Sequence, residues 1–282
     1  MWNVDLGDVD AVIERALSED LSGGDVTSAA TVPPGLKVDA RLVAKAPLVV
    51  CGLFVAGRVF AKLDSSVRFT AVAAEGNRVK PGAELARVEG NARALLAGER
   101  TALNLLQRLS GVATMTRAFA DAAGGKVRIC DTRKTTPGLR RLQRYAVRCG
   151  GGYNHRNDLG SGVLIKENHI RCAGGVEAAV RAARKRAPHP LRIECEVTDF
   201  AELDAAVEAG ADAVLLDNMD DERVMAAVSR VGRRAIVEVS GGITLQRVTK
   251  LAGMGVDVIS VGALTHSATA ADISMLFGEK PK

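Results

Sequence analysis

The chain has 282 residues, 47% hydrophobic and 25% charged, which excludes a disordered or fibrous protein and leaves enough apolar material for one or two packed cores. Aromatic residues make up only 3%, which argues against a nucleic-acid binder that stacks bases on exposed rings. The net charge of +5 is too modest to imply a general basic coat.

From the N-terminus, the apolar spacing predicts a helix over Val9–Leu17 and a turn at Gly23-Gly24-Asp25. Strands follow over Val38–Ala44 and Leu48–Cys51, then a helix over Leu53–Leu63. Further strands over Val67–Val72 and Glu84–Val88 flank a turn at Lys80-Pro81-Gly82. This mixture reads as an α/β sandwich. The turn resembles a lipoyl or biotinyl carrier loop, but no Lys stands at its tip to carry a cofactor. Residues 92–123 form a long helical stretch, with Leu95, Leu96, Leu103, Leu106 and Leu109 on its apolar face and a break expected at Gly111.

Beyond it the rhythm becomes strand, loop, helix. Short apolar strands are predicted over Val127–Cys130, Gly162–Ile165, Leu191–Val197, Ala213–Leu216, Ala235–Val239 and Val256–Val261. The helices between them are Pro137–Cys149, Gly175–Ala187, Phe200–Ala209, Asp221–Val231 and Leu245–Leu251. Apolar strands alternating with amphipathic helices imply parallel strands covered on both faces. Six such units, with no Gly-x-Gly-x-x-Gly after the first strand, favour an incomplete α/β barrel over a doubly wound sheet. The five cysteines are scattered, without a Cys-x-x-Cys pair, and read as reduced, mostly buried thiols rather than a disulfide framework or zinc site. The sequence shows neither a signal peptide nor an apolar run of membrane-spanning length, and predicts a cytoplasmic protein.

In a parallel barrel the reactive side chains stand at the C-terminal strand ends. Here these ends read Asp131-Thr132-Arg133-Lys134, Lys166-Glu167-Asn168-His169, Glu194-Cys195-Glu196, Asp217-Asn218, Glu238-Val239-Ser240-Gly241-Gly242 and Val261-Gly262-Ala263. Burying such charges costs several kcal/mol each unless they are paired or bind something. Ser240–Gly242, read as leading straight into a helix, and Val261–Ala263 let a ligand approach backbone N–H groups, which suits a phosphate; two tight turns are the plainer alternative. Positive charge is concentrated nearby: residues 126–171 carry eleven Lys and Arg against three acids. That suits a small polyanion, or else a solvated charged face. Glu196 and Asp217 fit a ligand that also carries a sugar, through ribose hydroxyls, a magnesium ion or a developing oxocarbenium ion. Arg140, Arg141, Arg144 and Arg148 share one face of their helix, turned either to a partner or site mouth or to solvent.

These residues carry a resemblance. Asp131-Thr-Arg-Lys-Thr-Thr-Pro-Gly-Leu139, Tyr145-Ala-Val-Arg-Cys-Gly-Gly-Gly running into Asn154-His-Arg156, Leu164-Ile-Lys-Glu-Asn-His169, Leu215-Leu-Asp-Asn218 and Glu238-Val-Ser-Gly-Gly242 are similar to the quinolinate phosphoribosyltransferase family, as are Glu19-Asp20, Gly24-Asp25-Val-Thr27 and Glu99-Arg-Thr-Ala-Leu-Asn104. The likeness runs in order along essentially the whole chain. It departs at Asn157–Gly162, where many members have an apolar residue and Gly directly after the His-Arg pair.

The resemblance implies an α/β sandwich over 1–108, an incomplete barrel over 109–266, and a tail, 267–282, packing with the sandwich. It implies transfer of the phosphoribosyl group of phosphoribosyl pyrophosphate to quinolinate, giving nicotinate mononucleotide, pyrophosphate and carbon dioxide in NAD biosynthesis. Arg100, donated across a homodimer in which one sandwich covers the partner's barrel mouth, would hold the quinolinate carboxylates with Arg133, Lys134, His155 and Arg156. Thr132 would also touch substrate. Lys134, Lys166, Glu196 and Asp217 would serve the chemistry and the ribose and pyrophosphate, with magnesium on Glu196 and Asp217 and no organic cofactor. Ser240, Gly241, Gly242, Val261, Gly262 and Ala263 would bind the phosphate. No nucleic acid or membrane partner is implied. Rival readings are a phosphoribosyltransferase for another aromatic acid, a relative associated with molybdenum transport, and a nucleic-acid binder, which leaves Glu196 and Asp217 unexplained.

Overall fold

The computed structural model describes residues 5–278; residues 279–282 of the expected tail lie outside them. The described chain falls into two compact units. The first takes in the residues up to Arg117, Thr135–Gly151 and those from Leu264 onward, and the second Ala118–Lys134 and Gly152–Ala263.

In chain order the first unit begins with α1 (Leu6–Leu21), α2 (Val26–Thr31), β1 (Lys37–Ala44), β2 (Leu48–Val49), α3 (Leu53–Leu63), β3 (Arg68–Ala71), β4 (Arg78–Val79), β5 (Glu84–Asn91) and α4 (Ala92–Ala123). In β1, Ala40, Leu42 and Ala44 are buried while Lys37, Asp39 and Arg41 alternate with them, the period of a half-covered antiparallel strand. α1 docks on α3 through a two-pronged pair, Arg58 Nε to Asp10 Oδ1 at 2.8 Å and Nη2 to Oδ2 at 2.6 Å. Val9, Ile13 and Leu17 form the buried stripe of α1, and Val55, Ala56, Val59 and Phe60 that of α3.

The expected break at Gly111 does not occur: α4 runs unbroken from Ala92 to Ala123. Gly111 serves packing instead, because a Cβ there would lie 1.9 Å from the Thr269 carbonyl oxygen. Gly111→Ala should therefore destabilise the protein by about 1–3 kcal/mol or more from overpacking. That outweighs the roughly 1 kcal/mol that Ala gains over Gly in a helix. Urea unfolding checks the sign, and a more stable variant would refute it.

The second half of the chain continues with β6 (Arg128–Cys130), α5 (Arg140–Cys149), β7 (Val163–Ile165), α6 (Glu167–Ala173), α7 (Val176–Arg186), β8 (Ile193–Val197), α8 (Phe200–Glu208), β9 (Ala213–Asp217), α9 (Asp221–Val231), β10 (Ile236–Ser240), α10 (Leu245–Leu251), β11 (Val258–Ser260), α11 (Ala263–His266) and β12 (Ile273–Phe277). β12 pairs antiparallel with β1 and completes a sheet of order β12-β1-β5-β3. Helix α5 starts three residues later than the pattern predicts, because Pro137 and Gly138, at φ 80°, form a turn. The fully buried Gln143 fixes that turn: its Oε1 accepts from the Thr136 amide at 2.8 Å, and its Nε2 donates to Thr136 Oγ1 at 3.1 Å. On the basic face of α5, Arg141 pairs with Asp8 of α1.

The parallel sheet has the order β6-β11-β10-β9-β8-β7. Strands β7 to β11 are neighbours in sequence order, and the first strand, β6, lies beside the last. That order is the one an incomplete α/β barrel takes when it is left open between β6 and β7. Much of its wall is apolar, with Ala213–Leu216 of β9 buried throughout. Helices α8, α9 and α10 start on side-chain caps: Asp199, Asp220 and Thr244 accept from the amides of Glu202, Arg223 and Arg247.

Candidate active site

The C-terminal strand ends of the second unit enclose a cavity of about 490 Å³. Thr132, Arg133 and Lys134 line it after β6, His155 and Arg156 before β7, Lys166 after β7, and Glu196 from β8. Asp217 and Asn218 close it at the end of β9, and Glu238 with Ser240–Gly242 at β10.

One side is cationic. Arg156 is half-buried and its Nη1 donates to the Gly162 carbonyl at 3.0 Å. Burial, and then the Arg133 guanidinium beside it, pull its pKa below the usual arginine value. Two guanidiniums that repel one another are a stored attraction for a ligand with two negative charges. Lys166 forms an ion pair with Glu196. Asp217 accepts from Asn218 Nδ2 at 2.8 Å.

His155 is held by three acids. The buried Asp131 takes the amide of His155 on Oδ1 at 2.8 Å and the Asn154 side-chain amide on Oδ2 at 2.6 Å, so it fixes the segment that presents the ring. His155 Nε2 lies 3.1 Å from Glu194 and 3.5 Å from Glu238, both buried. The Arg156 amide donates to Nδ1 at 2.7 Å, which places a ring proton on Nε2, between the two acids. Hydrogen bonding to Glu194 and then Glu238 pushes the His155 pKa up to about 10, while burial raises the Glu194 carboxyl.

The β10 end of the cavity is shaped by backbone. Gly241 and Gly242 have φ of 89° and 59°, the left-handed region that favours glycine, and a Cβ on Gly241 would lie 2.1 Å from Asn218 Oδ1. Contrary to the sequence expectation, these glycines do not open the helix: α10 starts at Leu245 with Thr244 as its cap, and the glycines form a turn of their own. Arg247 braces the turn, donating to the Gly241 carbonyl at 2.9 Å, to the Met219 carbonyl and to Asp221.

Comparison with known proteins fits this geometry to a family. Residues 25–110 match the family model of the quinolinate phosphoribosyl transferase N-terminal domain, and residues 112–276 that of its C-terminal domain. The chain belongs to the quinolinate phosphoribosyltransferase family. It is 45% identical over 270 residues to the nicotinate-nucleotide pyrophosphorylase [carboxylating] of Mycobacterium leprae, covering 93% of this chain and 95% of that one. It is 43% identical over 258 residues to the probable enzyme of the same name from Bacillus subtilis, covering 91% and 89%. Among solved structures it resembles NadC from Streptococcus pyogenes, with a TM-score of 0.93, 37% identity, and coverage of 99% and 100%.

In this phosphoribosyltransferase the cavity gathers Thr132, Arg133, Lys134, His155, Arg156, Lys166, Glu196, Asp217, Ser240, Gly241 and Gly242. Val261, Gly262 and Ala263 follow β11 outside that lining, although Ser260 before them belongs to it. Arg100 lies in the first unit, exposed on α4. Asp131, Asn154, Glu194, Glu238 and Arg247 were given no role by the sequence reading. Glu194 and Glu238 had a signal: each is an acid inside a strand built largely of apolar residues, and Glu194 shares a strand face with Glu196 by the period of two.

Proposed function

We propose that this cavity is where the enzyme joins quinolinate to the phosphoribosyl group of phosphoribosyl pyrophosphate, releasing pyrophosphate and carbon dioxide and leaving nicotinate mononucleotide for NAD biosynthesis. The observation that carries the reading is the pairing, in one cavity, of Arg133, Lys134, Arg156 and Lys166 with the carboxylates Glu196 and Asp217. The cations suit an aromatic diacid and a pyrophosphate, and the carboxylates suit a sugar between them.

In this reading Arg133 and Arg156 clamp the two quinolinate carboxylates, with Thr132 and Lys134 beside them. His155, whose ring nitrogens are already engaged, acts by fixing Arg156 through its Nδ1. The quinolinate ring nitrogen attacks C1 of the ribose as pyrophosphate departs. Glu196 and Asp217 orient the ribose hydroxyls and face the positive charge that develops on the ring, and Lys134 and Lys166 balance the charge on the leaving pyrophosphate. The turn at Ser240–Gly242 and the Val261–Ala263 segment hold the 5′-phosphate through backbone N–H groups. Glu196 and Asp217 are hard oxygen donors of the kind magnesium takes, and would hold it together with substrate oxygens and water. Bound there, the ion would screen the pyrophosphate charge.

The enzyme works in the cytoplasm as a homodimer, in which Arg100 of each subunit completes the partner's quinolinate site. No helix among the described residues is long and apolar enough to cross a membrane. The substrate assignment is tested by offering quinolinate and nicotinate in turn, with phosphoribosyl pyrophosphate and magnesium, and measuring pyrophosphate release. Quinolinate should turn over and nicotinate should not, because the missing carboxylate leaves a built cation unmatched. Equal turnover would overturn the assignment.

A further inference from the structure

The fold brings together two cysteines that are far apart in sequence, away from the cavity and within the first unit. Cys51 follows β2 and is fully buried; Cys149 is the last residue of α5 and half-buried. Their Sγ atoms and a Glu75 carboxylate oxygen all lie within 4.8 Å of one another. The backbone on both sides is fixed. Arg117 donates to the carbonyls of Gly150 at 2.8 Å and Cys149 at 3.2 Å. Ser110 Oγ accepts from the Cys51 amide and donates to the Cys51 carbonyl, each at 3.1 Å. The two sulfurs are thus held close together by a well-anchored backbone on each side.

We propose that Cys51 and Cys149 are an oxidisable dithiol that closes to an intramolecular disulfide when the protein meets a hydroperoxide. Cys149 is the attacking thiol. It is the more accessible of the two, and the Cys51 S–H donating to it lowers its pKa, whereas burial raises that of Cys51. The Cys149 thiolate attacks a peroxide oxygen, the O–O bond breaks and a sulfenic acid forms; the departing oxygen takes up the proton that the thiol gave up, leaving as water from hydrogen peroxide or as an alcohol from an organic hydroperoxide. The Cys51 sulfur then attacks the sulfenic sulfur; the S–S bond forms, the S–O bond breaks, and hydroxide departs with the Cys51 proton as water. Two thiols lose two electrons and the peroxide gains them.

A metal ion is a poorer occupant of this cluster. Glu75 already spends both oxygens on the start of α3, accepting from the Gly52 amide at 3.1 and 2.8 Å and the Leu53 amide at 2.8 Å. A cation would sit against the positive end of that helix.

The test uses the reduced protein treated with hydrogen peroxide, alkylated in denaturant and digested with trypsin. The expected product joins the peptides 46–58 and 149–156, lighter than their sum by two hydrogen atoms and separated again by a thiol reductant. It should vanish in Cys149→Ser and in Cys51→Ser, with Cys51→Ala as the second variant should serine disturb the buried site. It should persist in Cys172→Ser, since Cys172 is exposed and takes no part. Oxidised protein should also unfold at a higher temperature than reduced protein, because the cross-link restricts the unfolded chain. Recovery of the two peptides separately, under conditions where Cys172 is already oxidised, would overturn the proposal, as would Cys149 passing to sulfinic acid with Cys51 still alkylated.

Discussion

Arg133→Ala and Arg156→Ala should each weaken quinolinate binding by about 2–5 kcal/mol, the usual cost of truncating one partner of a desolvated charge pair. That is roughly a thirty- to several-thousand-fold rise in Kd. Both guanidiniums line the cavity, and Arg156 is already perturbed by burial and by Arg133, so an incoming diacid relieves a repulsion as well as forming new pairs. Asp217→Ala sets the contrast. It stands at the end of β9 beside Asn218, across from the guanidiniums' role, and should leave quinolinate affinity nearly intact while raising the KM for phosphoribosyl pyrophosphate and the magnesium requirement. Calorimetry with quinolinate separates the two classes. Unchanged affinity in both arginine variants would show that the carboxylates are held elsewhere.

The parts of the site that were legible in the sequence are those where a charge stands at the end of an apolar strand. Arg133, Lys166 and Asp217 each stand at the end of such a run, where a barrel gathers its ligand-binding side chains. The barrel was legible for the same reason, because fully apolar strands alternating with amphipathic helices leave few other arrangements. What stayed hidden depends on approach across long sequence distances. Gly111 looks like a helix break until Thr269 is found against it. Asp131 looks like one more strand-end acid until the 153–155 segment is found hanging from its carboxylate. The three-acid hold on His155 joins β6, β8 and β10, and a strand's own pattern says nothing of which neighbour it faces. Cys51 and Cys149 show the same limit, for no spacing rule pairs a residue after a short edge strand with the last residue of a distant helix.

In the proposed homodimer, Arg100→Ala should be nearly inactive while leaving the fold and the assembly intact. Arg100 is exposed on α4, in the unit that does not contain the cavity, and its own helix gives it nothing to do: the buried face is carried by Leu95, Leu103 and Leu106. An exposed helix arginine with a purely structural role would change stability by a few tenths of a kcal/mol and leave turnover alone. If instead it completes the partner subunit's quinolinate site, the loss must follow the rules of a shared site. Lys134→Ala removes a cation from the cavity itself, so it too should be inactive alone. A mixed dimer of the two variants holds one site with both lesions and one with neither, and should recover up to half the wild-type activity per dimer. Co-expression with two different tags yields verified mixed dimers without relying on subunit exchange. Recovery in these, and none in a mixture of Arg133→Ala with Lys134→Ala, where every site keeps a lesion, would establish that the two residues reach one site from different chains. Verified mixed dimers that stay inactive would mean that each site is built from a single chain, and that Arg100 acts in some other way.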